Sequence, residues 1–280
     1  MSDLMQPHAD KPVTEPRKRF FSRIRGHRTA LVALVVVALY FLCAIGVEIY
    51  DIASERMNFT PVYAVENAEA VFAPPSGEHW LGTDYLGRDC FWRAIGGVAT
   101  AAKVGAIAAL IAAAIGVVLG TIGGYYGGRC DDFVVWLYSI FAAMPTLLFI
   151  LAFALLFTRG FLTPALIAPL RALGTALHTE PGMLAVYLAI GLTGWVTLCG
   201  VVRAETMKLR DQTYVKAARV AGVGDLAIIF RHILPNLMHL VIIYFTLRFA
   251  YAIMTEVIVS YLGLGVQRAP SWGVMIADGQ

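Results

Sequence analysis

The sequence predicts an all-α fold, a bundle of helices that crosses a membrane several times. Of its 280 residues, 59% are hydrophobic and 15% are charged, whereas roughly 25% of the residues in soluble domains are charged. The apolar residues gather in runs of about 20, and a helix of that length crosses a hydrocarbon core about 30 Å thick. Five such runs predict five membrane spans.

The first 28 residues form a polar segment ahead of the first span. They contain seven basic and three acidic residues, and basic residues beside a span favour the cytoplasmic side. The apolar run Leu31–Val47 follows. A cleaved signal peptide is the alternative, but the polar lead is long and no A-x-A cleavage site follows the run. We therefore predict a basic cytoplasmic segment at 1–28, and an uncleaved first span with an outer loop over 29–94.

A motif with two glycines, LGTDYLGRD, stands at 81–89 near the end of that loop. The spacing of the glycines imitates the start of a phosphate-binding loop. However, Arg88 and Asp89 occupy the positions of the required Lys and Ser/Thr, and no strand precedes them. Nucleotide binding is therefore not expected. The residues alone predict two turns in which Asp84 and Asp89 cap short helices.

Four further spans are predicted at Val98–Gly128, Phe133–Phe157, Met183–Val202 and Leu237–Ser260. Pro145 should kink the second of these four. Within residues 159–182, the apolar run Phe161–Leu177 is broken by two prolines and an arginine, which favours an outer-surface helix or a re-entrant segment. The span at Val98–Gly128 has a small residue at every fourth position, and such a face packs closely on another helix. These residues are Ala108, Ala112, Gly116, Gly120, Gly124 and Gly128.

The last predicted span contains two ionisable residues, Arg248 and Glu256. Their spacing of eight positions puts them roughly on one face of a helix, about 12 Å apart. Ionisable side chains at such depth usually face a bundle interior or water. Both are therefore candidates for a translocation path or for contact with a partner subunit.

The stretch Tyr214–Asn236 reads YVKAARVAGVGDLAIIFRHILPN and separates the last two predicted spans. Helix formers fill its first third, and Gly222 is expected in a left-handed turn. Asp225 is a candidate N-cap for a second helix, which Pro235 should end. Small residues surround the turn of this predicted helix–turn–helix, so another backbone can approach it closely. The pattern is typical of a docking element.

The charges also predict an orientation. Six basic residues lie within 203–236, and seven lie within 1–28. Basic segments beside short loops favour the cytoplasm, and the four predicted crossings between these two segments return the chain to the same side. The placement of both segments in the cytoplasm by charge therefore agrees with the number of predicted crossings.

The stretch resembles the EAA loop of the permease subunits of binding-protein-dependent ABC importers, whose pattern is E-A-A, three residues, Gly, nine residues, I-x-L-P. Two positions depart from this pattern. Lys216 stands where the family has Glu and reverses the charge, so a salt bridge made by the family's Glu is not carried over. His232 stands at the first Ile of the pattern. The resemblance implies a cytoplasmic coupling loop over 203–236 that docks on an ATPase subunit. The residues on the pattern are Ala217, Ala218, Gly222, Leu234 and Pro235.

Two further segments resemble the same family. The motif at 81–89 is similar to a signature of one permease subunit of peptide and nickel importers, for which an architectural role is implied. The region 256–275, with YLGLG and PSWGVM, is similar to the end of those permeases. The resemblance implies the type I ABC importer permease fold, with a permease core over 95–280. It also implies a sixth span, so that five spans leave Gln280 outside and a longer product is expected.

The function implied by the resemblance is that of an inner-membrane permease subunit, which forms a path for peptides or nickel and is driven by ATP hydrolysis on a partner. The implied partners are a second permease, two ATP-binding subunits, a periplasmic substrate-binding protein and the lipid bilayer. No nucleic acid, cofactor, metal or catalytic residue is expected, since the four Cys and six His form no cluster. The alternatives are a secondary transporter, which would need midplane ion-coupling groups and internal repeats, and a membrane enzyme or assembly scaffold.

Overall fold

The computed structural model describes residues 28–158, 181–263 and 269–279, together with Ala168, Ala172, Gly174, Thr175 and Thr179. The chain divides into two compact units, Met1–Cys43 and Ala44–Gln280. Residues 1–27 of the predicted basic segment 1–28, and most of 159–182, lie outside the described residues. Within the described ranges the secondary structure is helical, and the only strand-like pairing there is an isolated bridge between Thr83 and Asp89.

The helices are α1 (Arg28–Met57), α2 (Cys90–Tyr126), α3 (Gly128–Ala143), α4 (Thr146–Thr158), α5 (Pro181–Arg210), α6 (Thr213–Val220), α7 (Asp225–Ile228), α8 (Leu234–Tyr261) and α9 (Trp272–Asp278). Short 3-10 turns occupy Val62–Ala64 and Ala68–Ala70, and a π-helical segment, Ile229–Ile233, joins α7 to α8. We call the end of the bundle that carries residues 58–89 and 269–279 the loop end, and the end that carries residues 127 and 211–224 the turn end.

Four helices of the described chain are long and apolar enough to cross a membrane, and five spans result if a bent pair is one span. This confirms the predicted all-α membrane bundle. The bent pair is Gly128–Ala143 with Thr146–Leu156, whose axes differ by 89°. The break lies at Pro145, and Met144 before it has extended backbone (φ −82, ψ 135). A residue before proline is disfavoured in the helical region, which explains why the predicted kink is a full break.

Several helices continue past the apolar run that predicted them. α1 extends to Met57, ten residues beyond the predicted end at Val47, and α5 extends to Arg210. α2 begins at Cys90, before the apolar run. Hydropathy detects the part of a helix that suits hydrocarbon, whereas polar helix formers extend the same hydrogen-bonded backbone into water. The first residues of the outer loop that was predicted to follow the apolar run Leu31–Val47 therefore belong to α1.

α2 and α5 form the most extensive helix pair of the fold. A Cβ added at Gly116, Gly120 or Gly124 would lie 2.5–3.0 Å from a carbonyl oxygen of α5. The two backbones therefore approach as closely as glycine permits, and the predicted small-residue face is confirmed at these positions. The three carbonyl groups belong to Trp195, Cys199 and Arg203.

The small-residue face ends earlier than predicted. α2 stops at Tyr126, and both Gly127 and Gly128 have positive φ, 68° and 53°. Side chains disfavour that backbone region, and glycine tolerates it. The chain turns at this pair, so Gly128 begins α3 rather than extending the packing face of α2.

The motif at 81–89 builds the start of α2. Asp89 is the N-cap of α2 and accepts hydrogen bonds from the backbone N–H of Phe91 at 2.8 Å and of Trp92 at 3.2 Å. This confirms one of the two predicted caps. Asp84 instead closes a turn, because its carboxylate accepts the N–H groups of Leu86 and Arg88, each at 2.9 Å. No helix of the described chain begins at Asp84.

Asp84 also belongs to a partly buried network of four charges at the loop end. Arg93, 4% exposed, pairs with Asp84 and donates to Asp278 of α9 at 2.8 Å. Arg88 donates to Asp84 at 2.8 Å and to Asp278 at 3.3 Å. Burial alone would raise the pKa of Asp84, but hydrogen bonds from Arg88 and Leu86 and the nearby guanidinium of Arg93 hold that pKa below its ordinary value of 3.8. The network fastens the motif and α9 to the start of α2.

The α2–α5 contact predicts that a single methyl group at Gly120 destabilises the fold. In Gly120→Ala, the new Cβ would lie 2.7 Å from the Cys199 carbonyl oxygen, so the helices must separate, at a cost of about 1–3 kcal/mol. The matched control is Gly200→Ala on α5, where an added Cβ meets nothing within 4 Å. Thermal unfolding of the detergent-solubilised protein should show a lower Tm for Gly120→Ala and not for Gly200→Ala. Equal Tm values would contradict this packing.

The charge network predicts a pH-dependent effect of Asp84→Asn. Removing one partner of a buried ion pair costs on the order of 3–5 kcal/mol, so Tm should fall at neutral pH. Because the folded pKa of Asp84 lies below its unfolded value, its carboxylate stabilises the fold above about pH 4, and this contribution is lost as the pH falls through the folded pKa. The Tm difference from wild type should therefore shrink in acid. Glu66→Gln, an exposed change in the same loop, should leave Tm unchanged, and a difference independent of pH would disprove the argument.

Candidate functional site

The segment between α5 and α8 folds as the predicted helix–turn–helix. α6 ends at Val220, and Gly222 follows with φ +80. The N–H of Val223 donates to the Ala218 carbonyl at 3.1 Å, and the N–H of Gly222 donates to the Arg219 carbonyl at 3.0 Å. This is the hydrogen-bond pattern of a Schellman motif, in which a left-handed glycine ends a helix. The expectation for Gly222 is confirmed.

Pro235 does not end the second helix, contrary to prediction. α7, the π-helical segment and α8 run as one continuous helical stretch, Asp225–Tyr261, with Pro235 in the first turn of α8. The Leu234 N–H donates to the Ile229 carbonyl, five residues back. This wider turn brings the chain to Pro235 in the position of a helix start, where a missing N–H is tolerated. A proline is a helix breaker only where its N–H and ring would disturb an ordinary α-helical turn.

Asp225 also differs from its expected role, because Gly224 is the N-cap of α7 and the Asp225 side chain makes no capping hydrogen bond. Its carboxylate accepts a hydrogen bond from the Tyr125 hydroxyl at 2.6 Å. The Arg219 guanidinium lies 5.4 Å from the centre of the same tyrosine ring. Arg210 donates to the Gly124 carbonyl at 3.0 Å. The end of α2 therefore holds both sides of the turn.

A buried apolar cluster fixes the segment against the bundle. Val215 of α6 and Ile228, Ile233 and Leu237 on the other side of the turn are each 0% exposed. They pack with side chains of α2 and α5, and Ala218 lies against the same cluster. The turn-end segment is thus packed directly on the bundle. The cluster also contains Ala113, Tyr125, Leu198, Val202 and Ile229.

The opposite face of the segment is exposed and partly apolar. Val220 is 90%, Leu226 66% and Phe230 65% exposed. Among the residues predicted from the sequence, Lys216, Ala217, Gly222 and Pro235 are exposed, whereas Ala218 and Leu234 are half-buried. We define the turn-end surface as Lys216, Ala217, Val220, Gly222, Leu226 and Phe230.

Sequence reasoning missed the three large apolar members of this surface. A usable signal was present, since Leu226 and Phe230 are four residues apart and so share a helix face. Apolar residues in helices usually face the core, and here Ile228, Ile229 and Ile233 already do so. A second apolar face on the same short segment is what distinguishes the exposed pair.

The two ionisable residues of α8 have separate environments. The Glu256 side chain is 2% exposed, and its carboxylate accepts hydrogen bonds from the hydroxyls of Ser260 at 2.5 Å and Ser271 at 2.8 Å. In this structure it faces the same chain rather than an open surface, because these two serines satisfy it between α8 and the start of α9. Arg248 lies beside a cavity of about 230 Å³ between α2, α5 and α8.

A larger cavity, about 780 Å³, lies at the loop end. Its charged lining includes Lys103, paired with Glu48 at 2.5 Å, and Asp51, which accepts a hydrogen bond from Tyr63 at 2.7 Å. No group of three or more His, Cys, Asp or Glu side chains in the described ranges could hold a metal ion. The Lys103–Glu48 ion pair connects α2 to α1, and the Tyr63–Asp51 hydrogen bond connects the loop to α1.

Comparison with known proteins identifies a family and relatives. The family model described as binding-protein-dependent transport system inner membrane component matches residues 116–280. The chain is 33% identical over 259 residues to the oligopeptide transport system permease protein of Bacillus subtilis, covering 92% of this chain and 75% of that protein. It is 33% identical over 260 residues to the dipeptide transport system permease protein of the same organism (92% and 71%). It is 29% identical over 270 residues to the glutathione transport system permease protein of Pectobacterium atrosepticum (96% and 80%).

The anchoring of the turn predicts a local effect of Tyr125→Phe. The substitution removes only the hydroxyl that donates to Asp225, and a hydrogen bond to a charged group contributes about 1.5–3 kcal/mol. Backbone amides of 213–228 should exchange with deuterium at least about tenfold faster, since 1.4 kcal/mol corresponds to a factor of about ten. Tyr126→Phe is the control, because Tyr126 is its exposed neighbour. Equal exchange in the two variants would show that this hydrogen bond does not hold the turn.

Proposed function

The chain belongs to the family of binding-protein-dependent transport system inner membrane components, the permease subunits of ABC importers, and we propose that its substrates are peptides. The observation that carries this proposal is similarity over more than nine-tenths of the chain to permeases named for oligopeptide, dipeptide and glutathione transport. All three are peptides, which favours peptides over nickel as the substrate class. Membership in this family also argues against the secondary transporter and the scaffold.

The proposed assembly contains two permease subunits, this chain and a similar one, in the inner membrane. Two ATP-binding subunits lie on the cytoplasmic side, and a periplasmic binding protein delivers the peptide. This chain hydrolyses nothing itself, and its contribution is a path and a mechanical connection. The basic residues around the turn end support a cytoplasmic position for that end and for the N-terminus. They include Arg203, Lys208, Arg210, Lys216, Arg219 and Arg231.

The turn-end surface is proposed as the contact with an ATP-binding subunit. Its exposed Val220, Leu226 and Phe230 are large apolar side chains that a partner would cover, and such anchors carry much of the energy of an interface. Gly222 and Ala217 have no bulky side chain that projects from this surface, so the partner's backbone can approach it closely. Lys216 brings a positive charge where the family has Glu, so an acidic group on the partner is its expected neighbour.

The structure offers a direct route from this contact to the membrane. Asp225–Tyr261 is one continuous helical stretch, so displacement of its exposed first turns moves the span that carries Arg248 and Glu256. Tyr125 connects the same turns to α2, and α2 is packed on α5. ATP binding would then bias a rocking motion between inward and outward openings, to the extent that the docked partner distinguishes the two states.

Gly222→Asp tests the coupling role. The variant places a charge on the turn-end surface and a side chain at φ +80, where an added Cβ meets nothing within 4 Å. We expect normal abundance in the membrane, at least about tenfold weaker association with the ATP-binding subunit, which corresponds to about 1.4 kcal/mol, and loss of uptake.

Gly128→Asp is the matched control, because Gly128 also has positive φ (53°) and open space and lies near the turn end outside the proposed contact. Strain and charge are thus similar in both variants, and only Gly222→Asp should release the ATP-binding subunit in a pull-down. Transport at the wild-type rate by Gly222→Asp with the ATP-binding subunit still bound would exclude this loop as the coupling element.

A further inference from the structure

A cationic side chain lies near the middle of α8. Arg248 is 14 residues after Leu234 and 13 before Tyr261, so it stands about 20 Å from either end of α8. A guanidinium at such depth is costly, by about 2.5–3.5 kcal/mol even on insertion scales, unless it faces a polar cavity or a partner. The cavity of about 230 Å³ opens beside it, where Leu247 and Tyr251 are exposed.

Small residues on two other helices make room for this cation. Ala109, Ala112 and Ala113 of α2 line the cavity opposite α8, and Gly194 of α5 lies beneath the guanidinium. A Cβ on Gly194 would lie 2.6 Å from Cζ of Arg248, so any other residue there would displace the charged group. The packing of three helices therefore preserves both the cavity and the position of the cation.

The cavity is lined mostly by apolar side chains, with a few hydrogen-bond donors and no counter-ion among the described residues. The Nε atom of Arg248 is shielded from solvent and has no acceptor among the described residues. The guanidinium lies 4.7 Å from the centre of the Tyr251 ring, which offsets part of its charge. Thr197 and Tyr244 add hydroxyl groups to the lining, and the lining contains no carboxylate. Glu256, about two turns further along α8, is already bonded to two serines.

We propose that this cavity receives the terminal carboxylate of the transported peptide, bound by the Arg248 guanidinium. The inference rests on the proposed peptide transport and assigns the part of the substrate that the midpoint of the span recognises. A guanidinium matches a carboxylate with two parallel hydrogen bonds, and a terminal carboxylate is the anionic group that oligopeptides, dipeptides and glutathione all carry. The volume of the cavity admits several waters, at about 30 Å³ each, so the Arg248 guanidinium can be hydrated before and after the peptide passes.

The test compares a dipeptide with its C-terminally amidated form, which lacks the terminal carboxylate. The intact importer, with both permeases, its ATP-binding subunits and its binding protein, is reconstituted in vesicles, and uptake of each peptide is measured with the binding protein saturated. The ratio of acid to amide uptake is compared between variants, so the preference of the binding protein cancels. In Arg248→Met we expect that ratio to fall at least about tenfold, because a buried donor site that loses its charge no longer distinguishes the two.

Two further variants separate recognition from folding. Arg248→Lys keeps the charge but not the planar donor pair, so its ratio should lie between those of wild type and Arg248→Met, and it provides the measurement if Arg248→Met fails to assemble. Thr246→Val, an exposed change two residues away that does not line the cavity, should keep the wild-type ratio.

An unchanged ratio in Arg248→Met, or in Arg248→Lys where only that variant assembles, would overturn the proposal whatever happens to total uptake. Release of the second permease from Arg248 variants with the ratio unchanged would identify a carboxylate of that subunit as the partner and overturn it likewise. A wild-type importer that takes up neither peptide would refute the proposed function itself, by a readout independent of the ratio.

Discussion

The close contact between α2 and α5 is the constraint on which the other features of the fold depend. Glycines at every fourth position of α2 meet carbonyl groups at every fourth position of α5, so the two helices share one register along much of their length. Without a hydrophobic driving force between helices in lipid, such backbone proximity is a main source of attraction. It is also intolerant of added volume, which makes the pair a rigid reference for everything attached to it.

Both ends of the molecule are fastened to this pair. At the turn end, the terminal residues of α2 hold the turn through Tyr125, Asp225 and Arg210. At the loop end, Arg93 in the first turn of α2 joins Asp84 to Asp278, and the Trp272 indole donates to the Ala94 carbonyl at 2.9 Å. The third attachment is α8, which continues from α7 without a break and so joins the turn to the cavity at Arg248 by one helical stretch. The proposed docking at the turn end would therefore act on a segment that is covalently continuous with α8.

The site was only partly predictable from the chain. The turn itself was predictable, because a glycine that directly follows a run of helix formers commonly adopts the left-handed backbone that ends a helix, as Gly222 does. The apolar members of the turn-end surface were not predictable, because apolar residues such as Leu226 and Phe230 would normally be assigned to the core. Only the structure shows that Ile228, Ile229 and Ile233 already form the core-facing side of this segment. The different environments of Arg248 and Glu256 were also not predicted. Their spacing of eight residues on one helix does not reveal the two serines that donate hydrogen bonds to Glu256.

The sequence by itself determined the class of the protein: an all-α membrane bundle, a helix–turn–helix within 214–236, the small-residue face of α2 and the permease family. These follow from composition, periodicity and short motifs, which are local properties of the chain. The tertiary structure alone decided the right-angled break at Pro145, the uninterrupted helical stretch through Pro235, the four-charge network at the loop end and the cavity at Arg248. Each of these depends on groups far apart in the chain, or on hydrogen bonds that the fold makes available, and such relations are absent from local pattern.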